Sequence, residues 1–166
     1  MASEGIRAKR VFVSDIHMGD QQSVDPPDDL YPYGWFHQDR GRMLGDFLGL
    51  KLSDPEVKEV IILGDLFDLW VYPAELEPPD EKRHLCRIAH AYQNREVIRR
   101  LRAIAACEEI DLIYVQGNHD MSTSTMTPPW SKQFLNTSFS VRLVERAACS
   151  FRTLIKLRKQ AGSMFY

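Results

Sequence analysis

Three short clusters of polar residues in this sequence could do chemistry, and each follows an apolar run. Asp15-Ile16-His17 places a carboxylate and an imidazole two residues apart. Gly64-Asp65-Leu66-Phe67-Asp68 holds two carboxylates, and Gly117-Asn118-His119-Asp120 adds an amide, an imidazole and a carboxylate. Such groups bind borderline divalent metals such as manganese, iron or zinc, and an imidazole transfers protons near neutral pH. Together the clusters predict a two-metal hydrolytic centre.

Each cluster taken alone also has a non-catalytic interpretation. Asp15 and His17 are compatible with a turn aspartate beside a solvated histidine, and Asp65 is compatible with the N-cap of a helix. The tetrapeptide at 117–120 is more specific, because average residue usage gives it by chance roughly once in a thousand chains of this size. Three clusters at three successive strand ends are jointly more specific than any one of them.

The elements that would position these clusters alternate between strand and helix. Apolar runs predict strands at residues 10–14, 60–63 and 110–115, and helical spacing predicts helices within 40–52 and 81–109. This order predicts βαβ units and a mainly parallel sheet, covered on both faces because the strand runs are almost wholly apolar. Ligands of such sheets bind beyond the carboxyl ends of the strands, where all three clusters fall.

The remaining segments predict loops and a basic tail. Prolines indicate loops at residues 25–33, 73–80 and 127–130. Apolar residues recur at helical spacing after residue 143, which predicts a basic amphipathic helix near residues 141–160. We expect this helix to cover a sheet face, and the alternative is peripheral contact with an anionic membrane surface.

Composition and charge exclude several classes of protein. Residues 1–120 hold 14 Lys and Arg against 22 Asp and Glu, whereas residues 121–166 hold 7 against 1. The acidic part has no basic stripe, which argues against a nucleic-acid partner. The three cysteines have no spacing typical of a disulfide framework or a zinc ribbon. Neither a signal peptide nor a membrane span is evident, so we expect a cytoplasmic protein.

The motifs D-x-H, G-D-x-x-D and G-N-H-D, in this order, resemble those of the calcineurin-like metallophosphoesterases. The resemblance implies an α/β fold, the N-terminal part of that family's αββα sandwich, with metal ligands at the strand ends. It implies hydrolysis of a phosphoester or pyrophosphate bond with two divalent ions, manganese first and iron or zinc as alternatives. Asp15 and His17 would bind the first metal, Asp65 would bridge both, and Asn118 would bind the second.

The same resemblance implies the roles of the remaining site residues. His119 would be the general acid, Asp120 would orient its imidazole, and Asp68 would lie behind the metal ligands. The substrate would be a small-molecule or lipid-linked phosphoester. The G-D-L-F-D-x-W stretch is similar to the UDP-2,3-diacylglucosamine diphosphatase branch, which commonly has Arg at the position of His119.

The resemblance covers about residues 8–121 and then stops. The family has a Gly-His and a Gly-His-x-His on later strands, but this chain has no histidine after His119. His37, His84 and His90 are interpreted as solvated or structural, with His37 reaching the site from its loop as the alternative. We expect a truncated or frame-shifted product, and the alternative is a divergent protein that self-associates. Such a chain could be a catalytically impaired fragment or a non-catalytic binding protein.

Overall fold

The computed structural model describes residues 8–27, 30–72, 75–77, 79–115, 117–120, 139–143 and 154–159. The elements of the first half are β1 (Lys9–Val13), α1 (Gln21–Val24), α2 (Gln38–Leu52) and β2 (Val57–Leu63). They are followed by α3 (Glu81–His90), a 3-10 turn (Tyr92–Asn94), α4 (Arg95–Ala106) and β3 (Asp111–Val115). The last described elements are β4 (Phe139–Leu143) and β5 (Leu154–Lys159).

The strands form one five-stranded sheet in the order β1-β2-β3-β5-β4. The pairs β1–β2 and β2–β3 are parallel, so the predicted parallel core of the sheet is confirmed for these three strands. Strand β5 pairs antiparallel with β3 and with β4. Because β1, β2 and β3 run in the same direction, the three polar clusters meet at one edge of the sheet.

The helix predicted near residues 141–160 is wrong where the structure describes that segment. Residues 139–143 and 154–159 are strands of the sheet, and residues 144–153 lie outside the described residues, as does the predicted loop at 127–130. Phe139, Val141 and Leu143 alternate with Ser140 and Arg142, which is the two-residue period of a strand. The membrane-surface contact was an alternative for this helix, and it stays a prediction.

The hydrophobic core lies between the sheet and the helices on one of its faces. Val60, Ile62, Leu112 and Tyr114 point to that face and are at most 2% exposed. On the opposite face Phe12 is 57% exposed and the neighbouring Leu63 is 39% exposed. The prediction that both faces would be covered is therefore wrong at these positions.

The helical segment predicted for residues 81–109 is interrupted between α3 and α4, and the interruption serves the site. Ala91 adopts an extended backbone with ψ of 135°, and the buried Gln93 and Asn94 follow it. Asn94 donates to the carbonyl of Gly19 at 2.8 Å, and Gln93 donates to that of Asp20 at 2.9 Å. The break thus provides two amide side chains that hold the loop after His17.

Loops occupy the described parts of residues 25–33 and 73–80, as predicted. Helix α2 begins two residues before the predicted segment and ends with it, whereas the short α1 was not predicted. Within the described residues, no helix combines the length and the apolar character that crossing a membrane requires.

Candidate metal centre

The first cluster follows β1 in a strained backbone conformation. Asp15 and His17 have φ angles of 53° and 50°. This left-handed region costs a residue with a Cβ roughly 1–2 kcal/mol. Ile16 between them is 5% exposed, and the His17 N–H donates to the carbonyl of Asp65 at 2.8 Å. Strain of this kind is concentrated at functional sites, where the surrounding structure enforces it.

The second and third clusters are in direct contact with each other. Asp65 also has a positive φ, 51°, and its Oδ1 accepts a hydrogen bond from the His119 N–H at 2.9 Å. A Cβ added to Gly117 would lie 2.0 Å from Asp65 Oδ1 and 2.3 Å from the Asp65 backbone nitrogen. Only glycine permits this approach. No helix follows Asp65 over residues 66–72, so the N-cap interpretation fails.

Among the residues that the structure describes, two groups of three side chains could each hold a metal ion. The ligand atoms of Asp15, His17 and Asp65 lie within 4.8 Å of one another, and so do those of His17, Asp68 and His119. His17 belongs to both groups. Carboxylate oxygens and imidazole nitrogens are ligands of manganese, iron and zinc. The donor set therefore fits a divalent ion of the predicted kind.

Asp68 is the carboxylate that contacts the imidazole of His119. Its Oδ1 lies 2.9 Å from His119 Nδ1, and its Oδ2 lies 3.9 Å from His17 Nδ1. A carboxylate can only accept, so His119 Nδ1 carries the hydrogen and Nε2 remains for another partner. The side chains of Asp68 and His119 are 13% and 27% exposed. Asp68 therefore fixes the tautomer of His119 and the direction of its Nδ1–H group.

Asp120 has a different role from the predicted one. It is completely buried, and its Oδ1 accepts the Phe67 N–H at 2.7 Å. Its Oδ2 accepts the N–H groups of Leu66 at 3.2 Å and Gly117 at 3.1 Å. Burial raises the pKa of Asp120, while these hydrogen bonds favour the carboxylate. The prediction that Asp120 orients the His119 imidazole is wrong. The Asp120 carboxylate accepts backbone N–H groups, and Asp68 is the carboxylate that contacts the ring.

Neither ligand group found among the described residues includes His37, His84 or His90. Asn118 is exposed between Gly117 and His119, and its binding of a metal stays a prediction. His37 is exposed just before α2, and His90 Nδ1 lies 2.8 Å from the Cys86 carbonyl. His84 is 4% exposed, and burial lowers its pKa. These three histidines have the surroundings expected of solvated or structural residues.

Two tryptophans beside the site were not singled out from the sequence. The Trp70 ring is stacked on His119, with centroids 5.4 Å apart and an interplanar angle of 27°. Trp35 meets His17 edge-on at 6.5 Å, and His17 meets His119 edge-on at 4.6 Å. The available signal was the position of Trp70, two residues after Asp68.

Comparisons with known proteins do not assign this site. No family model matches the chain, and neither a curated protein nor a solved structure matches it.

Proposed function

We propose that this protein is a metal-dependent hydrolase that cleaves a phosphoester or pyrophosphate bond. The observation that supports the proposal most is the convergence of Asp15, His17 and Asp65. Their ligand atoms lie within 4.8 Å of one another, and all three residues have a positive φ. Three strained residues with ligand side chains at two strand ends are difficult to explain by folding alone.

In this proposal the site residues would have two kinds of role, binding metal and donating a proton. Asp15, His17 and Asp65 would hold one ion, while the resemblance adds Asp65 as a bridge and Asn118 as a ligand of a second ion. Bound manganese, or iron or zinc, would supply hydroxide from water at neutral pH and neutralise negative charge on the phosphoryl group. Asn118 would add an oxygen without negative charge, which suits a site that must also accept an anionic substrate.

His119 would protonate the departing oxygen. Its Nδ1–H donates to Asp68 Oδ1, so the proton available for transfer is the one on Nε2. His119 would give up the Nε2 proton to the leaving oxygen as the bond between that oxygen and phosphorus breaks. The His119 backbone is fixed at the same time, because its N–H donates to Asp65.

The substrate class that we propose is a small-molecule or lipid-linked phosphoester. The acidic balance of residues 1–120, 14 basic against 22 acidic residues, disfavours the phosphate backbone of a nucleic acid. Self-association is a further proposal, since Phe12 is 57% exposed on the sheet face opposite the core.

A non-catalytic or impaired metal-binding protein is the second candidate, and one observation favours it. The two ligand groups share His17, so two ions would compete for one imidazole. A chain that binds a single ion would lack the second positive charge on the phosphoryl group. The two candidates therefore differ in the number of ions bound and in turnover.

Metal content and turnover separate these candidates. We would measure manganese per chain and manganese-dependent hydrolysis of bis(p-nitrophenyl) phosphate for the wild type, Asp65→Ala and His119→Ala. His90→Ala is the matched control, because this exposed histidine bonds to the Cys86 carbonyl outside the site. Two ions per chain, with turnover lost in Asp65→Ala and His119→Ala but kept in the control, support the hydrolase. One ion or none, with no rate above the blank, rejects it in favour of the second candidate.

A further inference from the structure

His119 is held by three consecutive residues of another segment, Asp68, Leu69 and Trp70. Asp68 Oδ1 lies 2.9 Å from the ring nitrogen Nδ1. The Leu69 N–H donates to the His119 carbonyl at 3.1 Å. The Trp70 ring is stacked on the imidazole at 5.4 Å. Residues 68–70 thus contact His119 at three places: the ring nitrogen Nδ1, the backbone carbonyl and the face of the ring.

The stacked ring restrains a motion that the hydrogen bonds leave free. The contact with Asp68 restrains Nδ1, but a hydrogen bond accepts a range of angles, so the imidazole can still tilt through small changes of its χ1 and χ2 angles. Trp70 covers one face of the imidazole at an interplanar angle of 27°, and His17 meets it edge-on at 90°. These ring contacts fix the plane of the imidazole and therefore the direction of Nε2.

The segment that carries Trp70 is itself anchored to the first strand end. The Asp68 N–H donates to the Met18 carbonyl at 3.0 Å, and Met18 forms a parallel bridge with Phe67. Met18 is completely buried. Trp70, by contrast, is 55% exposed, so much of its apolar surface adds nothing to the core. The Trp70 ring is half-exposed and is stacked on an imidazole. Its contact with His119 therefore explains its position better than core packing does.

We propose that Trp70 is a positioning residue that acts through His119, a role that rests on the proposed hydrolase function. It holds the plane of the imidazole so that Nε2 points toward the leaving oxygen. Trp70 itself transfers no proton. Removing the indole leaves the Asp68 contact in place but frees the ring to turn, which lowers the fraction of His119 in the productive orientation.

The first test needs no metal and no turnover. Proton NMR of the metal-free full chain would follow the ring protons of His119, identified by their loss in His119→Ala. In the wild type the Trp70 ring current shifts these signals upfield; Trp70→Ala abolishes the shift and Trp70→Phe keeps part of it. Val71→Ala, a change in the neighbouring residue, is the control and leaves it unchanged. Identical His119 signals in the wild type and Trp70→Ala would overturn the proposal.

The second test uses the leaving group. A misplaced general acid matters most for a poor leaving group, so Trp70→Ala lowers kcat on diphenyl phosphate by roughly 10- to 100-fold. The loss on bis(p-nitrophenyl) phosphate is smaller, KM is little changed, and Trp70→Phe recovers most of the rate. Equal losses on both substrates contradict the positioning role. If the wild type hydrolyses neither substrate, the hydrolase proposal fails, while the NMR comparison still decides whether Trp70 holds the ring.

Discussion

The first two strand ends and the third position the candidate site in different ways. Asp15, His17 and Asp65 sit in the left-handed backbone region, where their own side chains are a source of strain. At the third strand end, the buried Asp120 carboxylate instead accepts three backbone N–H groups. The candidate ligand positions are thus maintained at a cost in stability, whereas the position of His119 depends on favourable hydrogen bonds. Substitutions at the two kinds of position should therefore change stability for different reasons, relief of backbone strain at the first and loss of hydrogen bonds at the second.

The largest effect is expected from Asp120→Ala. This change leaves the N–H groups of Leu66, Phe67 and Gly117 without their carboxylate partner in the interior, and we expect a loss of about 3–5 kcal/mol in the free energy of unfolding. Asp120→Asn keeps one acceptor oxygen and should lose less. Urea denaturation of both variants measures the difference. A loss below about 1 kcal/mol in the alanine variant would contradict the structural role of Asp120.

A smaller effect is expected at Asp15, in the difference between two variants. Because its φ is 53°, Asp15→Gly should be more stable than Asp15→Ala by about 1 kcal/mol. Asp46 is the matched control, since it is exposed within α2, where glycine should be less stable than alanine by about 1 kcal/mol. Urea denaturation of the four variants provides the comparison. If glycine and alanine rank alike at both positions, the strand end is not strained.

The smallest effect concerns pH and lies outside both strand-end groups. Burial lowers the pKa of His84 below its ordinary value of 6.5, so the fold favours the neutral ring. Above the unfolded pKa the ring is neutral in both states, and its burial does not reduce the free energy of unfolding. As the pH falls below the unfolded pKa, the unfolded chain binds a proton more readily than the folded one, so the free energy of unfolding decreases. His84→Asn should flatten the pH dependence of stability between about pH 8 and pH 5. If the free energy of unfolding depends on pH equally in the wild type and in His84→Asn, His84 is not the source of that dependence.

Much of the α/β core could be predicted from local patterns. The apolar runs before Asp15, Asp65 and Gly117 identify β1, β2 and β3, because strands buried in a parallel sheet need few polar residues. The order of strands and helices then brings the three clusters together at the carboxyl ends of the parallel strands. The sequence alone therefore predicts that the candidate ligands lie close together, without any measured distance between their atoms.

The partners within the site could not be predicted, because sequence proximity is a poor guide to side-chain direction. Asp120 is the neighbour of His119, yet its carboxylate points into the core, whereas Asp68, 51 residues away, contacts the imidazole. The positive φ at Asp15 and Asp65 had only a weak signal in the sequence, because glycine is the usual residue for that conformation and aspartate adopts it only occasionally.

The second half of the sheet was missed for a related reason. Apolar residues after 143 can be counted at helical spacing, but residues 139–143 alternate between apolar and polar types over one short stretch. Short segments support both periods, and pairing with β3 and β5 decides between them. Long-range hydrogen bonds of this kind are not visible in a local window.

Strand β1 lies at the edge of the sheet and pairs only with β2 among the described strands. It is nevertheless the strand that leads into Asp15 and His17. Edge strands open more often than central ones, so amide hydrogen exchange along β1 should be faster than along β2. Each such opening would carry two candidate ligands away while Asp65, Asp68 and His119 stay in place. Metal exchange in this protein would then follow the fraying of one peripheral strand, without global unfolding.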